Sequence, residues 1–296
     1  MLTDLLKLQL DLLGARTEFA ASLLGGRILG RVAPVAAERS PVISIPGLLA
    51  SDASLLRLNR FLDGQGFRAR SWGLGRNLGS QGEDWGPHLA RIGQKLSYRV
   101  KALADECSRP VSLVGQSLGG IYARELALRM DREIDRVIML GAPTFHPYKA
   151  DRHNRMIGVL GHWVNRRSAS ELAGREGLLH WECDRPAMPC VAIHSPIDGI
   201  VDEHACHIPG YIVKQSTRKA PRENIRVLSS HVGMSFNPWV MLAIADRLVC
   251  SHHHWLPFDP ASYFPDAMAP LLRVVYPRAE GLWRDPGLAD FVESRR

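Results

Sequence analysis

Short apolar runs and longer amphipathic segments alternate along this chain. Pro41 to Ile45, Phe67 to Trp72, Val111 to Val114, Arg136 to Leu140, Cys190 to His194 and Ile225 to Leu228 have the length and composition of strands. Between them, Ser51 to Gly66, His88 to Cys107 and Ile121 to Met130 carry apolar residues at three- and four-residue steps, and Pro238 to Val249 does so after the last. Ser51 stands where a helix N-cap belongs. Strands that alternate with helices predict an α/β chain with a mostly parallel, doubly wound sheet covered by helices on both faces.

Residues 2–24 form a further helix candidate. Its polar positions Asp4, Lys7, Asp11, Gly14 and Glu18 make one stripe, and Leu5, Leu6, Leu12, Leu13, Phe19, Leu23 and Leu24 make a broad apolar face. The pattern predicts that this face packs on the body of the protein, with a second subunit and a membrane surface as the alternatives. Gly25-Gly26 and Pro34 end the segment, and Val32 to Ser40 reads as a linker. Residues 145–189 hold more apolar side chains than a crossover needs, among them Trp163, Leu178 and Trp181, and read as a helical cap, with a purely structural crossover as the alternative. The expected organisation is an N-terminal helical extension at 1–35, a main domain at 36–260 with this cap inserted, and a C-terminal extension at 261–296.

The run Val111 to Val114 leads into Gly115-Gln116-Ser117-Leu118-Gly119-Gly120 and then into a helical segment. Strand, Gly-x-Ser-x-Gly, helix is the setting of a nucleophile elbow. Gly115 and Gly119 answer a steric demand there, because side chains at those places collide with neighbouring backbone. Ser117 then projects alone at the start of a helix, with the backbone N–H of Leu118 offered to a developing oxyanion.

A serine needs a base to take its proton, and the base needs an acid to hold its tautomer. In the order these elements require, a carboxylate follows a later strand and a histidine follows the last one. Asp198, in the Pro-Ile-Asp-Gly loop after Cys190 to His194, and His231, after Ile225 to Leu228, meet that demand. Asp202 and Glu203 are rival acids. His194 reads as a packed core residue, and His204, His207 and His252-His253-His254 lie away from the place of the base.

Composition narrows the rest. With 46% hydrophobic and 23% charged residues in 296, the chain is an ordinary globular protein, and its net charge of +7 favours anionic surfaces or substrates without naming one. The basic residues are scattered and no nucleic-acid motif is present. The glycine-dense stretch Gly73 to Gly86 has neither phosphate-loop nor dinucleotide spacing. The five cysteines lack metal or disulfide spacing, which predicts a reducing, cytoplasmic compartment and no metal site. The charged leucine-rich start is neither a signal peptide nor a membrane span.

Taken together, GQSLGG at the elbow, SPIDGIVD around the acid and SSHVGMSFNP around the histidine resemble the α/β-hydrolases of the lipase and esterase type, from Pro41 to Phe258. The resemblance implies the α/β-hydrolase fold, Ser117, Asp198 and His231 as a catalytic triad, and an oxyanion hole from the N–H groups of Leu48 and Leu118. Many relatives have His-Gly where this chain has Pro46-Gly47. The implied activity is hydrolysis of small carboxylic esters, lipid-like ones included, without metal or organic cofactor. The N-terminal helix adds an expected peripheral contact with membrane, and no nucleic acid is expected. The same triad serves acyltransferases and thioesterases, and the fold also serves non-catalytic lipid-binding or scaffold proteins.

Overall fold

The computed structural model describes residues 2–81, 83, 85–143, 186–208, 220–252 and 254–277. Six strands, β1 (Pro41–Ile45), β2 (Arg68–Ser71), β3 (Val111–Gln116), β4 (Ile134–Leu140), β5 (Cys190–His194) and β6 (Arg222–Arg226), form one sheet in the order β2-β1-β3-β4-β5-β6. Every pairing is parallel. The helices are α1 (Leu2–Val32), α2 (Asp52–Gly64), α3 (Trp85–Cys107), α4 (Leu118–Ala127), α5 (Glu203–Cys206), α6 (Pro238–Val249) and α7 (Ala269–Val275).

The inner strands β1, β3, β4 and β5 are almost wholly buried because both faces of the sheet are covered. Successive residues of β4 and β5 feed opposite layers. Ile138, Leu140, Val191 and Ile193 pack with Leu58 and Leu62 of α2 and with α6. Val137, Met139, Cys190 and Ala192 pack with α3 and α4 through Leu96, Val100, Ile121 and Ala123. Ser51 occupies the N-cap position of α2, but its side chain makes no capping bond; its carbonyl instead accepts from the Ser54 N–H and hydroxyl.

Several elements differ from their expected extents, β6 and α1 among them. β6 begins at Arg222 rather than Ile225 and ends before Val227 and Leu228, because buried charges at its start are matched. The Glu223 carboxylate accepts from the Arg247 guanidinium (2.6 Å), the Trp255 indole N–H (2.9 Å) and the Phe258 N–H (2.6 Å). Arg222 donates to the Met188 carbonyl at 2.6 Å. Helix α1 runs on through Gly25-Gly26 to Val32, and stops ahead of Pro34.

The orientation of α1 is the larger correction. Its polar stripe, not its apolar face, turns to the body: Asp11 is buried and Glu18 half-buried, while Leu6, Leu10, Leu12, Leu13, Leu23 and Ile28 are exposed. Ala15, Leu29 and the edge of Phe19 against Phe236 supply its apolar packing. At the other end of the chain, α7 docks beside the strand layer, where the Leu228 N–H donates to the Val275 carbonyl at 2.7 Å. The expected cap lies outside the described residues from 145 to 185, as does the C-terminal stretch from 278.

Removing one member of a buried ion pair leaves the other uncompensated and costs about 3–5 kcal/mol. Arg247 keeps a second carboxylate partner in Asp246, so Glu223→Ala, which also strips the Trp255 and Phe258 N–H groups of their acceptor, is expected to lower the unfolding free energy by about 3 kcal/mol, the lower end of that range, in a denaturant titration.

Candidate active site

The turns that follow β1, β3, β4, β5 and the loop beyond β6 all lie at the carboxyl ends of parallel strands, where open α/β sheets place their clefts. Ser117 sits between β3 and α4 at φ 52° and ψ −123°, a left-handed conformation that strains a residue with a side chain. Its N–H donates to the Leu140 carbonyl (2.8 Å) and its carbonyl accepts from the Gly120 N–H (2.9 Å), so the turn is tied on both sides. A Cβ on Gly115 would collide with the Gly119 backbone, and one on Gly119 with the Ile45 carbonyl at the end of β1.

Asp198 and His231 meet directly. The His231 Nδ1 is 2.7 Å from Asp198 Oδ2, and both side chains are buried. The second Asp198 oxygen accepts from the N–H groups of Ile200 (2.8 Å) and Val201 (2.7 Å). Gly141, at φ 53° just past β4, makes room beneath this pair, for a Cβ there would stand 3.0 Å from His231 Nδ1 and 3.1 Å from Asp198 Oδ2. Burial disfavours the imidazolium, but the charge of Asp198, its hydrogen bond and the charge of Asp11 together outweigh that and raise the His231 pKa above its ordinary 6.5. Ser117 is brought to the same edge: the side chain of Gln116, its neighbour, donates to the His231 carbonyl at 2.8 Å. Among the described residues no hydrogen bond joins the Ser117 hydroxyl to His231.

Several supports were not legible in the motifs. The Ser195 hydroxyl oxygen accepts from the Ile197 and Ser229 N–H groups (3.2 and 3.1 Å), linking the acid loop to the histidine loop. Asp11 of α1 accepts from the N–H groups of Gly199, His231 and Val232. Glu18 accepts from the Ser230 N–H (2.6 Å) and from the hydroxyls of Ser230 and Ser229. Burial pushes the Glu18 pKa up, partly offset by those bonds from Ser230 and Ser229 and by one from Asn237. The only sequence trace of these roles is the spacing of Asp11 and Glu18 along one helical edge.

Leu48 lies in the turn after β1, and this loop is held by a residue of the glycine-dense stretch. Asn77 donates through its side chain to the Pro46 carbonyl (2.8 Å) and through its N–H to the Ala50 carbonyl (2.8 Å), while its own carbonyl accepts from Leu49 (2.7 Å). Gly47 faces the elbow, since a Cβ on it would be 3.2 Å from the Ser117 Cβ. Leu118 is the first residue of α4, where helical N–H groups have no intrahelical acceptor.

The other candidate residues have separate tasks. Asp202 caps α5 by accepting from the His204 N–H at 2.9 Å, and Glu203 pairs with Arg226 at 2.8 and 3.0 Å. His194 is buried at the end of β5 beside His207, with ring centroids 5.5 Å apart. His252 reaches Asp135 at 3.1 Å. Among the described residues no three His, Cys, Asp or Glu side chains converge as a metal site requires.

No protein-family model and no curated protein sequence matches the chain. Solved structures do. Lipase B of Aspergillus fumigatus superposes with a TM-score of 0.50 at 17% identity, over 84% of this chain and 62% of its own. Monoacylglycerol lipase of Paleococcus ferrophilus gives 0.49 at 14% identity over 73% and 96%. A protein of Xanthomonas campestris pv. campestris described as a hydrolase of the alpha/beta superfamily gives 0.44 at 16% identity over 71% and 98%. The superposition at TM-score 0.50, with the single parallel sheet, shows that the chain has the α/β-hydrolase fold.

The electrostatics of the pair give a direct check. In an NMR titration His231 is expected to bind its proton with a midpoint above 6.5, and Asp198→Asn to bring that midpoint down, because burial is then less opposed.

Proposed function

We propose that this α/β-hydrolase-fold chain is a serine hydrolase that cleaves carboxylic esters through an acyl-enzyme. The observation that carries the reading is a strained, isolated serine beside a buried carboxylate–imidazole pair, all at the carboxyl edge of one parallel sheet.

The roles follow from the atoms. With Nδ1–H directed at Asp198, the neutral His231 ring keeps Nε2 as its acceptor. Nε2 takes the Ser117 proton as the hydroxyl oxygen attacks the ester carbonyl. The N–H groups of Leu48 and Leu118 receive the oxyanion, and the loop that carries Leu48 is fixed by Asn77. The imidazolium, stabilised by the Asp198 carboxylate, then protonates the departing alcohol. Water activated by the same ring attacks the acyl-serine, and release of the acid regenerates the hydroxyl. Hydrogen bonds of this kind are commonly loose in empty sites and tighten with substrate, which fits a resting Ser117 hydroxyl without a bond to His231.

The lipase neighbour with TM-score 0.50 and the apolar exposed edge of α1 favour lipid-like acyl esters as the substrate class. Among the described residues no helix is long and apolar enough to cross a membrane.

A fluorophosphonate probe is expected to label the intact protein and to leave Ser117→Ala unlabelled. Hydrolysis of p-nitrophenyl esters is expected to fall about 10⁴-fold in Asp198→Asn, as a misplaced tautomer costs in such triads, and to decline at pH values below the raised His231 pKa. No labelling of the wild type, or equal labelling of Ser117→Ala, overturns the reading.

A further inference from the structure

Helix α1 reaches the site from the far end of the chain, 220 residues from His231, and it does so with a carboxylate. Asp11 is buried, and its two oxygens accept three backbone N–H groups: Oδ1 takes His231 (2.6 Å) and Gly199 (3.1 Å), and Oδ2 takes Val232 (3.1 Å). One of those peptides follows Asp198 directly and another carries the histidine itself. A single rigid group therefore spans the two loops whose separation sets the Asp198–His231 contact.

We propose that Asp11 is a positioning residue of the site, fixing the acid loop and the histidine loop to one another and setting a second negative charge beside His231. The proposal rests on the serine-hydrolase reading. Carboxylate bonds to backbone N–H groups are short and strong compared with neutral ones, and small displacements of a base cost rate out of proportion to their size. Among the described residues, Asp198 of the acid loop bonds the imidazole, Asp11 of α1 and the neutral Gln116 of β3 bond the His231 backbone, and Gly141 after β4 lies beside Nδ1 and the Met234 sulfur. Glu18, the next acid along α1, is bonded to Ser229 and Ser230. Loss of the Asp11 charge removes one of the influences that hold the His231 proton.

The test uses the full chain with Asp11→Asn and a soluble p-nitrophenyl ester. The expected result is a kcat lowered about 10- to 100-fold, a nearly constant KM, and an acid limb of the pH profile moved to lower pH, with the unfolding transition still cooperative. Gly14→Ala serves as a second variant. Its Cβ would meet the Ser230 Cβ at 3.1 Å and push α1, and Asp11 with it, off the histidine loop by a few tenths of an ångström while keeping the Asp11 carboxylate itself, so kcat falls there too. If the wild type is labelled by fluorophosphonate but both variants keep its kcat and acid limb, Asp11 has no positioning role. If Asp11→Asn does not fold, Gly14→Ala alone decides. An unlabelled wild type instead overturns the underlying reading.

The opposite edge of α1 supports a second proposal independently. Leu6, Leu10, Leu13, Leu23 and Ile28 are each 56–63% exposed. Arg16 and Arg31 are exposed along the same helix, whereas its described acids, Asp11 and Glu18, are turned inward. An apolar edge with basic residues and, among the described side chains, no outward carboxylate, on a chain of net charge +7, matches an anionic lipid surface. We infer that α1 is the face by which the protein rests on such a membrane.

Flotation with phosphatidylglycerol-containing vesicles tests this directly. The wild type is expected to float with them and much less with phosphatidylcholine alone. The double variant Leu10→Ser with Leu13→Ser should stay in the dense fraction while keeping the wild-type rate of fluorophosphonate labelling. A wild type that does not float, or a double variant that floats equally well, overturns the inference. So does a wild-type dimer that the double variant dissociates, which identifies the face as a contact between copies of the chain.

Discussion

The site depends on a close approach of three backbones. The end of β1, the turn after β3 and the start of α4 come so near that Gly115 and Gly119 have no space for a Cβ, and Ser117 is left in a left-handed conformation. Such a conformation costs on the order of 1–3 kcal/mol and persists only where its surroundings over-determine it. Here the surroundings are the parallel ladders on either side, which set Ile45 against Gly115 and Gln116 against Leu140. Because that turn is fixed, the loops after β4, β5 and β6 can converge on one point above it.

What brings those loops together is a set of buried carboxylates and amides rather than apolar packing. Irregular backbone leaves N–H groups without ladder partners, and a buried N–H must be matched. Asp11 and Asp198 each take two or more such donors from the acid and histidine loops, Glu18 takes the Ser230 N–H together with two hydroxyls, and Asn77 ties down the loop that carries Leu48 by donating to Pro46 and Ala50 and accepting from Leu49. Glu223 applies the same device at the sheet edge, where it binds Arg247, Trp255 and the Phe258 N–H. These acids hold the loops in place, and two of them also set the field at His231. Architecture and proposed chemistry thus share the same groups.

Much of this frame was legible from residue order. β1, β5 and α6 have the expected ends, and the elbow, acid and histidine fall in succession because a parallel sheet places each after its own strand. β6 was misplaced because apolar content marks burial, and Arg222 and Glu223 are buried charged residues whose partners come from distant positions. Nothing local marks the role of Asn77, because its neighbours spell a loop and the carbonyl it binds, that of Pro46, is distant in sequence. The two-sided nature of α1 was seen, but its direction was reversed.

That reversal marks the division between chain and fold. Periodicity showed that α1 has a polar stripe and an apolar face, the order of strands and helices gave a parallel sheet, and the spacing of Ser117, Asp198 and His231 named the candidate site. All of these are local patterns. Only the folded chain decided that Asp11 and Glu18 face inward, because the donors that make their burial favourable lie more than 180 residues away in loops after β5 and β6. A hydrophobic pattern records which side chains prefer to leave water. It does not record where the rest of the molecule leaves N–H groups that require a carboxylate.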